Sequence, residues 1–300
     1  MDKNQTILVP QDSADPILGK TSLEYYNGYL FATGRVDGSR RGSFIIDFGA
    51  GSTLIDGTLL DDSVRLSPVS AAGDRNITGN VIDGFGGSIA GFAGYTNLRW
   101  IRIGNYRWEN ATVRVVDSLP EIGGKEILGI LGMDLLAQIP VILFSYGINE
   151  ETAVMYFMAD DNADRTRDIA EIPFGIVGSH MFITGRVNDK PVYFILDTGS
   201  ANNILMTEVA RTANIGIDTT VAAQFSGLDG MTITAQIGLA DSIALESFIV
   251  HGVPFYVAEL PSLSPPGAKR NIGVLGNSLL ERYDRITIDF TRGVIRLIGK

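Results

Sequence analysis

The chain has 300 residues, a formal net charge of −10 and no cysteine. The length allows two domains, the acidic charge argues against a nucleic-acid partner because phosphate binding needs a basic surface, and the missing cysteines exclude disulfides, thiol catalysis and Cys-ligated zinc. With 45% hydrophobic residues and 35 glycines, the composition favours short strands joined by many turns.

The first 24 residues are polar apart from one apolar patch at residues 7–9. Two interpretations of this segment stay open, a loose terminus or an edge strand of a sheet. It lacks the apolar stretch of a signal peptide, so we expect a cytoplasmic protein or the trimmed mature form of an exported one, with a slight preference for the second. No apolar run of the chain reaches the length of a transmembrane helix.

The first half reads as a series of strands with two short helices. Asp37-Gly38-Ser39 has the composition of a turn between two strands, and residues 61–80 are polar and loop-like. The predicted strands are 30–36, 43–47, 88–103, 112–116 and 152–158, and the predicted helices are 53–60 and 131–138.

A charged stretch at residues 159–167 separates the two halves. It lacks the ligand spacing and the distal Glu of a helix-loop-helix calcium site, so we interpret it as a solvated linker and not as a metal site. The predicted domains are therefore residues 1–160 and 161–300.

The second half repeats the order of the first. Asn188-Asp189-Lys190-Pro191 is a turn signal between two strands. The predicted strands are 169–187, 192–197, 231–234 and 294–298, and the predicted helices are 204–212 and 279–283.

One sequence motif occurs twice in this chain. An apolar run ends in an aspartate and then glycines in FIIDFGAGS at residues 44–52, and again in FILDTGSA at residues 194–201. The two aspartates, Asp47 and Asp197, are 150 residues apart. Two further blocks match in the same order, FATGRVD with FITGRVN, and ILGMDLL with VLGNSLL, which indicates a duplicated unit of about 130–150 residues.

These motifs resemble the aspartic peptidases of pepsin and retropepsin type. The resemblance rests on Asp-Thr-Gly-Ser at 197–200, on the apolar-apolar-Gly block of each half, on a closing stretch at 273–290, and on GSIAGFAGY at 87–95, which is similar to the flap hairpin of that family. It covers about residues 25–300. It implies an all-β protein with a few short helices, in which a cleft separates two β-barrel lobes related by a pseudo-twofold axis.

The resemblance also implies the site and its chemistry. Asp47 and Asp197 would be catalytic, sharing one proton because two adjacent carboxylates cannot both ionise, and they would activate a water for peptide hydrolysis. We expect a peptide or protein substrate, a monomer because one chain carries both acids, and neither cofactor nor metal. The residues expected to bind substrate are Gly49, Phe85, Gly86, Gly87, Ser88, Gly199 and Ser200.

The chain departs from the family at three points. Residue 48 is Phe where the family usually has a Thr whose hydroxyl bonds across the junction beneath the acids, whereas Thr198 keeps that hydroxyl. Ala50 replaces a Ser, as in retropepsin-like members. The flap tyrosine of pepsins would fall near Gly84, with Phe85 beside it. Phe48 and Thr198 are therefore expected to be structural residues next to the acids.

Alternative interpretations remain. A single Asp-x-Gly is most often an ordinary turn, but both turns stand at corresponding positions of the repeat. His180 and His251 are expected to be surface or structural histidines, and the chain has neither Gly-x-Ser-x-Gly nor a P-loop. Besides an active endopeptidase, the sequence allows a peptide-binding module with a weak or inactive acid pair, or another hydrolase.

Overall fold

The computed structural model describes residues 16–37, 39–62, 64–67, 81–84, 87–147, 153–161, 168–226, 232–259 and 271–299. Over these ranges the chain is mostly β-strand, with three short helices and one 3₁₀ turn. The expectation of an all-β protein with a few short helices is therefore confirmed.

The first half contributes eleven of the described strands. They are β1 Ile17–Tyr26, β2 Tyr29–Val36, β3 Gly42–Ile46, β4 Leu54–Asp56, β5 Val81–Gly84, β6 Gly87–Ala90, β7 Phe92–Ile103, β8 Tyr106–Val116, β9 Ile127–Leu131, β10 Val141–Ser145 and β11 Val154–Met158. The 3₁₀ turn Gly57–Leu59 follows β4, and helix α1, Met133–Leu136, follows β9.

The second half contributes the other eleven. They are β12 Asp168–Pro173, β13 Gly175–Val177, β14 His180–Val187, β15 Lys190–Leu196, β16 Ile204–Met206, β17 Gly216–Ser226, β18 Thr232–Leu245, β19 Phe248–Ala258, β20 Ile272–Leu275, β21 Arg285–Asp289 and β22 Val294–Ile298. Helix α2, Thr207–Thr212, follows β16, and helix α3, Asn277–Leu280, follows β20.

Each half pairs its strands in the same way. β3 pairs in parallel with β9, and β4 pairs antiparallel with β9 and parallel with β8. In the second half β15, β20, β16 and β19 take the same places with the same directions. The sequence repeat is thus a repeat of topology, and the two aspartates follow equivalent strands, β3 and β15.

One sheet joins the halves. Its strands run in the order β12-β22-β21-β10-β11-β1 before continuing into the first half, so three strands of the second half and three of the first form one continuous sheet, in which β21 pairs with β10. The inner face of this shared part carries Ile142, Phe144, Ile286 and Ile288, which are fully buried in the core. The boundary between residues 160 and 161 stays a prediction.

The turns between paired strands have the residues that their backbone needs. Asn27 and Gly28 link β1 to β2 with φ of 51° and 82°, and Asn188 and Asp189 link β14 to β15 with φ of 43° and 66°. Asn, Asp and Gly tolerate this left-handed region, which two-residue hairpins of type I′ require. The turn predicted at residues 188–191 is confirmed.

Several element predictions were wrong. Residues 53–60 do not form a helix; β4 lies between β8 and β9, and the 3₁₀ turn that follows is capped by the Asp56 side chain. The closing helix is α3, and residues 279–283 are only partly helical. The apolar patch at residues 7–9, for which an edge strand was one of two open interpretations, lies outside the described residues. From residue 17 onward the chain forms β1, an interior strand that lies between β11 and β2.

No helix within the described ranges is both long enough and apolar enough to cross a membrane.

Candidate active site

Asp47 lies at the end of β3, where the chain turns away from the sheet. Its amide donates to the carbonyl of Leu131 on the neighbouring strand β9 at 3.0 Å. Its Oδ1 accepts from the amides of Gly49 at 2.7 Å and Ala50 at 2.9 Å. The carboxylate is therefore held against its own turn, and only 6% of the residue is exposed.

Asp197 has the same environment at the end of β15. Its amide donates to the Leu275 carbonyl at 3.0 Å, and its Oδ1 accepts from the amide of Gly199 at 2.8 Å. The residue is 4% exposed. Both predicted acids are thus buried and fixed by equivalent backbone hydrogen bonds.

The two turns face each other. A Cβ atom placed on Gly49 would lie 2.3 Å from Cγ of Asp197, and one placed on Gly199 would lie 2.1 Å from Oδ2 of Asp47. Each glycine therefore makes room for the carboxylate of the opposite turn. The structure brings Asp47 and Asp197 together from residues that are 150 positions apart.

The Gly block of each half supports the adjacent acid. Gly132 has no space for a side chain, since its Cβ would lie 2.6 Å from the backbone carbon of Ser52; Gly276 likewise would meet the carbonyl of Asn202 at 2.3 Å. The residue after each glycine donates its amide to a carbonyl in the acid-bearing turn of its own half, Met133 to Ala50 at 2.8 Å and Asn277 to Ser200 at 2.9 Å.

Burial and proximity make the two carboxyls difficult to ionise together. Burial raises the pKa of Asp47, and the amides of Ala50 and Gly49 oppose this rise. Burial, and then the negative charge of Asp47, raise the pKa of Asp197 well above the usual range. The pair therefore titrates as one unit and retains a proton at a pH where an exposed aspartic acid has lost it.

The hydroxyl of Thr198 makes two hydrogen bonds across the junction beneath the acids. Oγ1 of Thr198 donates to the Ile46 carbonyl at 2.7 Å and accepts from the Phe48 amide at 3.1 Å. Phe48 holds the equivalent position in the first half, where its ring is fully buried and stacks on Phe144 with centroids 5.9 Å apart. A phenyl ring can neither donate nor accept such hydrogen bonds. The junction therefore has side-chain hydrogen bonds at Thr198 and aromatic packing at Phe48.

The structure describes the predicted flap only in part. β5 and β6 form an antiparallel hairpin in which Gly84 pairs with Gly87 and Asp83 with Ser88. Phe85 and Gly86 lie outside the described residues. Ser200 is half-buried, and its hydroxyl donates to the Asn202 carbonyl at 2.8 Å, so it stabilises the turn. A role of these residues in substrate binding stays a prediction.

Sequence reasoning missed Tyr29, which lies beside the acids at the start of β2. Burial raises the pKa of its phenol, and the charges of Asp197 and Asp47 raise it further. The preceding residue, Gly28, packs against the second turn, since a Cβ there would lie 2.3 Å from that of Ala201. The repeat gave no signal for Tyr29, because the corresponding residue of the second half is His180.

The two histidines differ in position. His180 starts β14, and its partial burial lowers the pKa of its imidazole. His251 is exposed on β19, with Nδ1 3.3 Å from the Asp241 carbonyl. Within the described ranges, no three His, Asp or Glu side chains are grouped so that they could hold a metal ion.

Comparison with known proteins agrees with the duplicated architecture. A family model described as "Aspartyl protease" matches residues 32–135 and again residues 183–279. Each match contains one of the two acid-bearing turns and most of its supporting Gly block. A search of curated proteins found no match.

Solved structures show the same fold. The crystal structure of the aspartic proteinase from Irpex lacteus matches with a TM-score of 0.57 and 14% identity over 94% of this chain and 97% of that chain. At this identity the likeness is one of fold. It confirms the expected pepsin-like arrangement of two lobes.

Proposed function

Because the chain belongs to the aspartyl protease family, we propose that it is an aspartic endopeptidase in which Asp47 and Asp197 activate a water molecule to hydrolyse peptide bonds. The observation that supports this most strongly is the reciprocal fit of Gly49 on Asp197 and Gly199 on Asp47. Two unrelated turns would not each be expected to place a glycine, which has no side chain, directly against the buried carboxylate of the other turn.

The surroundings of the two acids suggest how they divide the work. Burial raises the pKa of both acids, and backbone amides oppose this rise at each of them, but the negative charge of Asp47 raises the pKa of Asp197 further. Asp47 would take a proton from the water, and Asp197 would donate a hydrogen bond to the scissile carbonyl. The water oxygen then attacks the carbonyl carbon, and the proton held by the pair passes to the leaving amine.

An extended peptide would lie between the two lobes and under the β5–β6 hairpin. Backbone hydrogen bonds to a strand edge would hold it, and pockets at alternate positions would select its side chains. On the first-half side of the acids, Phe31, Ile45 and Ile130 form a small apolar cluster against which Tyr29 and Ala50 pack. We therefore expect apolar side chains to be preferred on that side of the scissile bond.

Cleavage of an unfolded protein tests the proposal. Purified enzyme is incubated with a denatured protein from about pH 3 to 7, with and without pepstatin, and the products are identified by mass spectrometry. We expect internal fragments that pepstatin suppresses, because that inhibitor occupies an aspartic dyad. Absence of fragments at every pH would contradict the proposal.

One observation favours a second candidate, a peptide-binding module with a weak acid pair. Phe48 leaves the junction with side-chain hydrogen bonds from Thr198 but none in return from residue 48, and even a small displacement of a catalytic carboxylate lowers the rate. Saturable peptide binding by the wild-type protein without turnover would support this second function.

A further inference from the structure

Asn277 is a buried polar residue that is not part of the acid pair and that the first half does not share at the equivalent position. It follows the second Gly block and begins α3, and it is fully buried. The corresponding residue of the first half is Met133, which is also buried. An amide in place of an apolar side chain is costly in a core unless each of its polar groups has a partner.

The side chain of Asn277 has partners from three separate parts of the chain. Its Nδ2 donates to the carbonyl of Thr198 at 2.8 Å and to that of Gly28 at 2.7 Å. Its Oδ1 accepts from the hydroxyl of Tyr146 at 2.6 Å. The amide orientation follows from chemistry, because two carbonyl oxygens can only accept and so must face the nitrogen.

These three partners lie on both sides of the junction between the halves. Thr198 belongs to the second acid-bearing turn, Gly28 to the β1–β2 hairpin, and Tyr146 directly follows β10. The edge of the Tyr25 ring packs on Tyr146, with centroids 5.0 Å apart. Asn277 therefore fixes the residue next to Asp197 to two elements of the first half.

The position of this amide matters because the junction is asymmetric. Thr198 reaches across to the first half through its hydroxyl, but its counterpart Phe48 cannot reach back. Asn277 supplies two further hydrogen bonds to the first half from the same side, through Gly28 and Tyr146. Among the described residues, Thr198 and Asn277 are thus two side chains of the second half that make hydrogen bonds to the first half beneath the acids.

We propose that Asn277 is a positioning residue for Asp197, which replaces the returning hydrogen bonds that Phe48 cannot make. It acts through the Thr198 backbone and does not touch the substrate. This inference rests on the proposed function, because its main consequence is a change in the rate of peptide hydrolysis. Small displacements of a catalytic group lower the rate far more than they lower substrate binding.

The test is a double-mutant cycle between Asn277→Met and Phe48→Thr. Asn277→Met introduces the residue that the first half has at the equivalent position, Met133. We expect it to fold, to keep KM within about twofold, and to lower kcat by about tenfold or more. Phe48→Thr alone should retain at least the wild-type kcat, and in the Asn277→Met background it should restore most of the lost kcat.

The pH profile gives a readout that lost stability would not change. A loosened junction admits water and lessens the burial that raises the pKa of Asp197. The basic limb of the kcat/KM profile should therefore move to lower pH in Asn277→Met, and it should return to its wild-type position in the double variant. Met133→Leu is the matched control at the equivalent position, and it should leave kcat and the profile unchanged.

Tyr146→Phe covers the case that Asn277→Met does not fold. It removes one hydrogen bond and keeps the shape of the ring, and kcat should fall by about two- to fivefold, again with recovery by Phe48→Thr. The inference would be overturned if folded Asn277→Met kept the wild-type kcat, or, where that variant does not fold, if folded Tyr146→Phe kept it. A loss of kcat that Phe48→Thr does not recover would also overturn it. If the wild-type protein cleaves nothing, the proposed function has failed instead.

Discussion

Each acid of the site packs directly against a glycine of the opposite turn. Replacement of such a glycine by alanine adds one methyl group at the most tightly packed point of the site. A Cβ on Gly199 would lie 2.1 Å from Oδ2 of Asp47, far inside contact distance. Neither the buried carboxylate nor the fixed turn has space to move away.

We therefore predict that Gly199→Ala lowers kcat/KM by at least about 100-fold while the protein still folds. Gly216→Ala is the matched control, because nothing lies within 4 Å of a Cβ at that exposed position. Steady-state kinetics on one peptide, with melting curves, make the comparison. Equal activity of the two variants would mean that the turns do not meet as described.

The raised pKa of Asp197 also has a consequence for stability. The folded protein keeps a proton that the unfolded chain releases near pH 4, so this group makes stability fall as the pH rises from that value towards its raised folded pKa. Asparagine cannot ionise. We predict that Asp197→Asn has a higher Tm than wild type at pH 7, and that this advantage shrinks or disappears at pH 3.5.

Calorimetry at constant ionic strength measures the difference. Asp189→Asn is the control, since Asp189 is exposed in a turn that asparagine also tolerates. A Tm difference between Asp197→Asn and wild type that is the same at both pH values would show that Asp197 is not buried in a neutral state.

At this scale the sequence was sufficient for residues whose pattern repeats. Asp47, Asp197, Gly49 and Gly199 were found because the same phrase occurs twice. Tyr29 and Asn277 were missed because their importance depends on contacts across the two halves, and their counterparts, His180 and Met133, are chemically different. A repeat identifies what both copies share and gives no signal for what only one copy has.

At the scale of the elements, two buried ion pairs of one arginine hold the connection between the halves. Arg296 on β22 contacts the carboxylates of Asp161 and Asp168, with 1% of the Arg side chain and 4% and 14% of the Asp side chains exposed. Asp161 in the charged stretch at 159–167 and Asp168 just after it are thus anchored to the shared sheet, and the prediction of a solvated linker was wrong for Asp161. Residues 162–167 lie outside the described residues.

We predict that Asp168→Ala lowers the free energy of unfolding by about 2–3 kcal/mol, because it leaves a buried guanidinium with less compensation. Glu171→Ala on the same strand is the control: its pair with Arg292 has side chains that are 42% and 40% exposed, so about 0.5 kcal/mol or less is expected. Urea unfolding measures both. Equal losses would mean that burial does not distinguish the two pairs.

The predicted elements were correct where local pattern and pairing agree. β2, β3 and β15 combine alternating or apolar runs with clear turn residues, and the structure has them close to the predicted bounds. The strand predicted over residues 169–187 is instead three strands, β12, β13 and β14. Residues 53–60 failed because a three-residue strand between two others is determined by its neighbours and not by its own periodicity. The interior place of β1 in its sheet could not be predicted for the same reason, since its partner β11 is distant in sequence.

At the scale of the whole molecule, one chain carries both acid-bearing turns and completes the sheet that joins them. We therefore propose an active monomer. Specific activity should be constant over a hundredfold range of protein concentration, with a sedimentation coefficient of a single 32.3 kDa chain. Activity that rises with concentration in step with a dimer would contradict this, because it would mean that two chains are needed for one site.

The central claim is that Asp47 and Asp197 form one catalytic pair. The most direct measurement is kcat/KM for a single peptide from pH 3 to 7 in wild type, Asp47→Asn and Asp197→Asn, with Asp189→Asn as the control. We predict a bell-shaped profile for wild type and the control, and a loss of at least about 1,000-fold for each dyad variant at every pH. Substantial hydrolysis by either dyad variant, with its fold intact, would contradict the account.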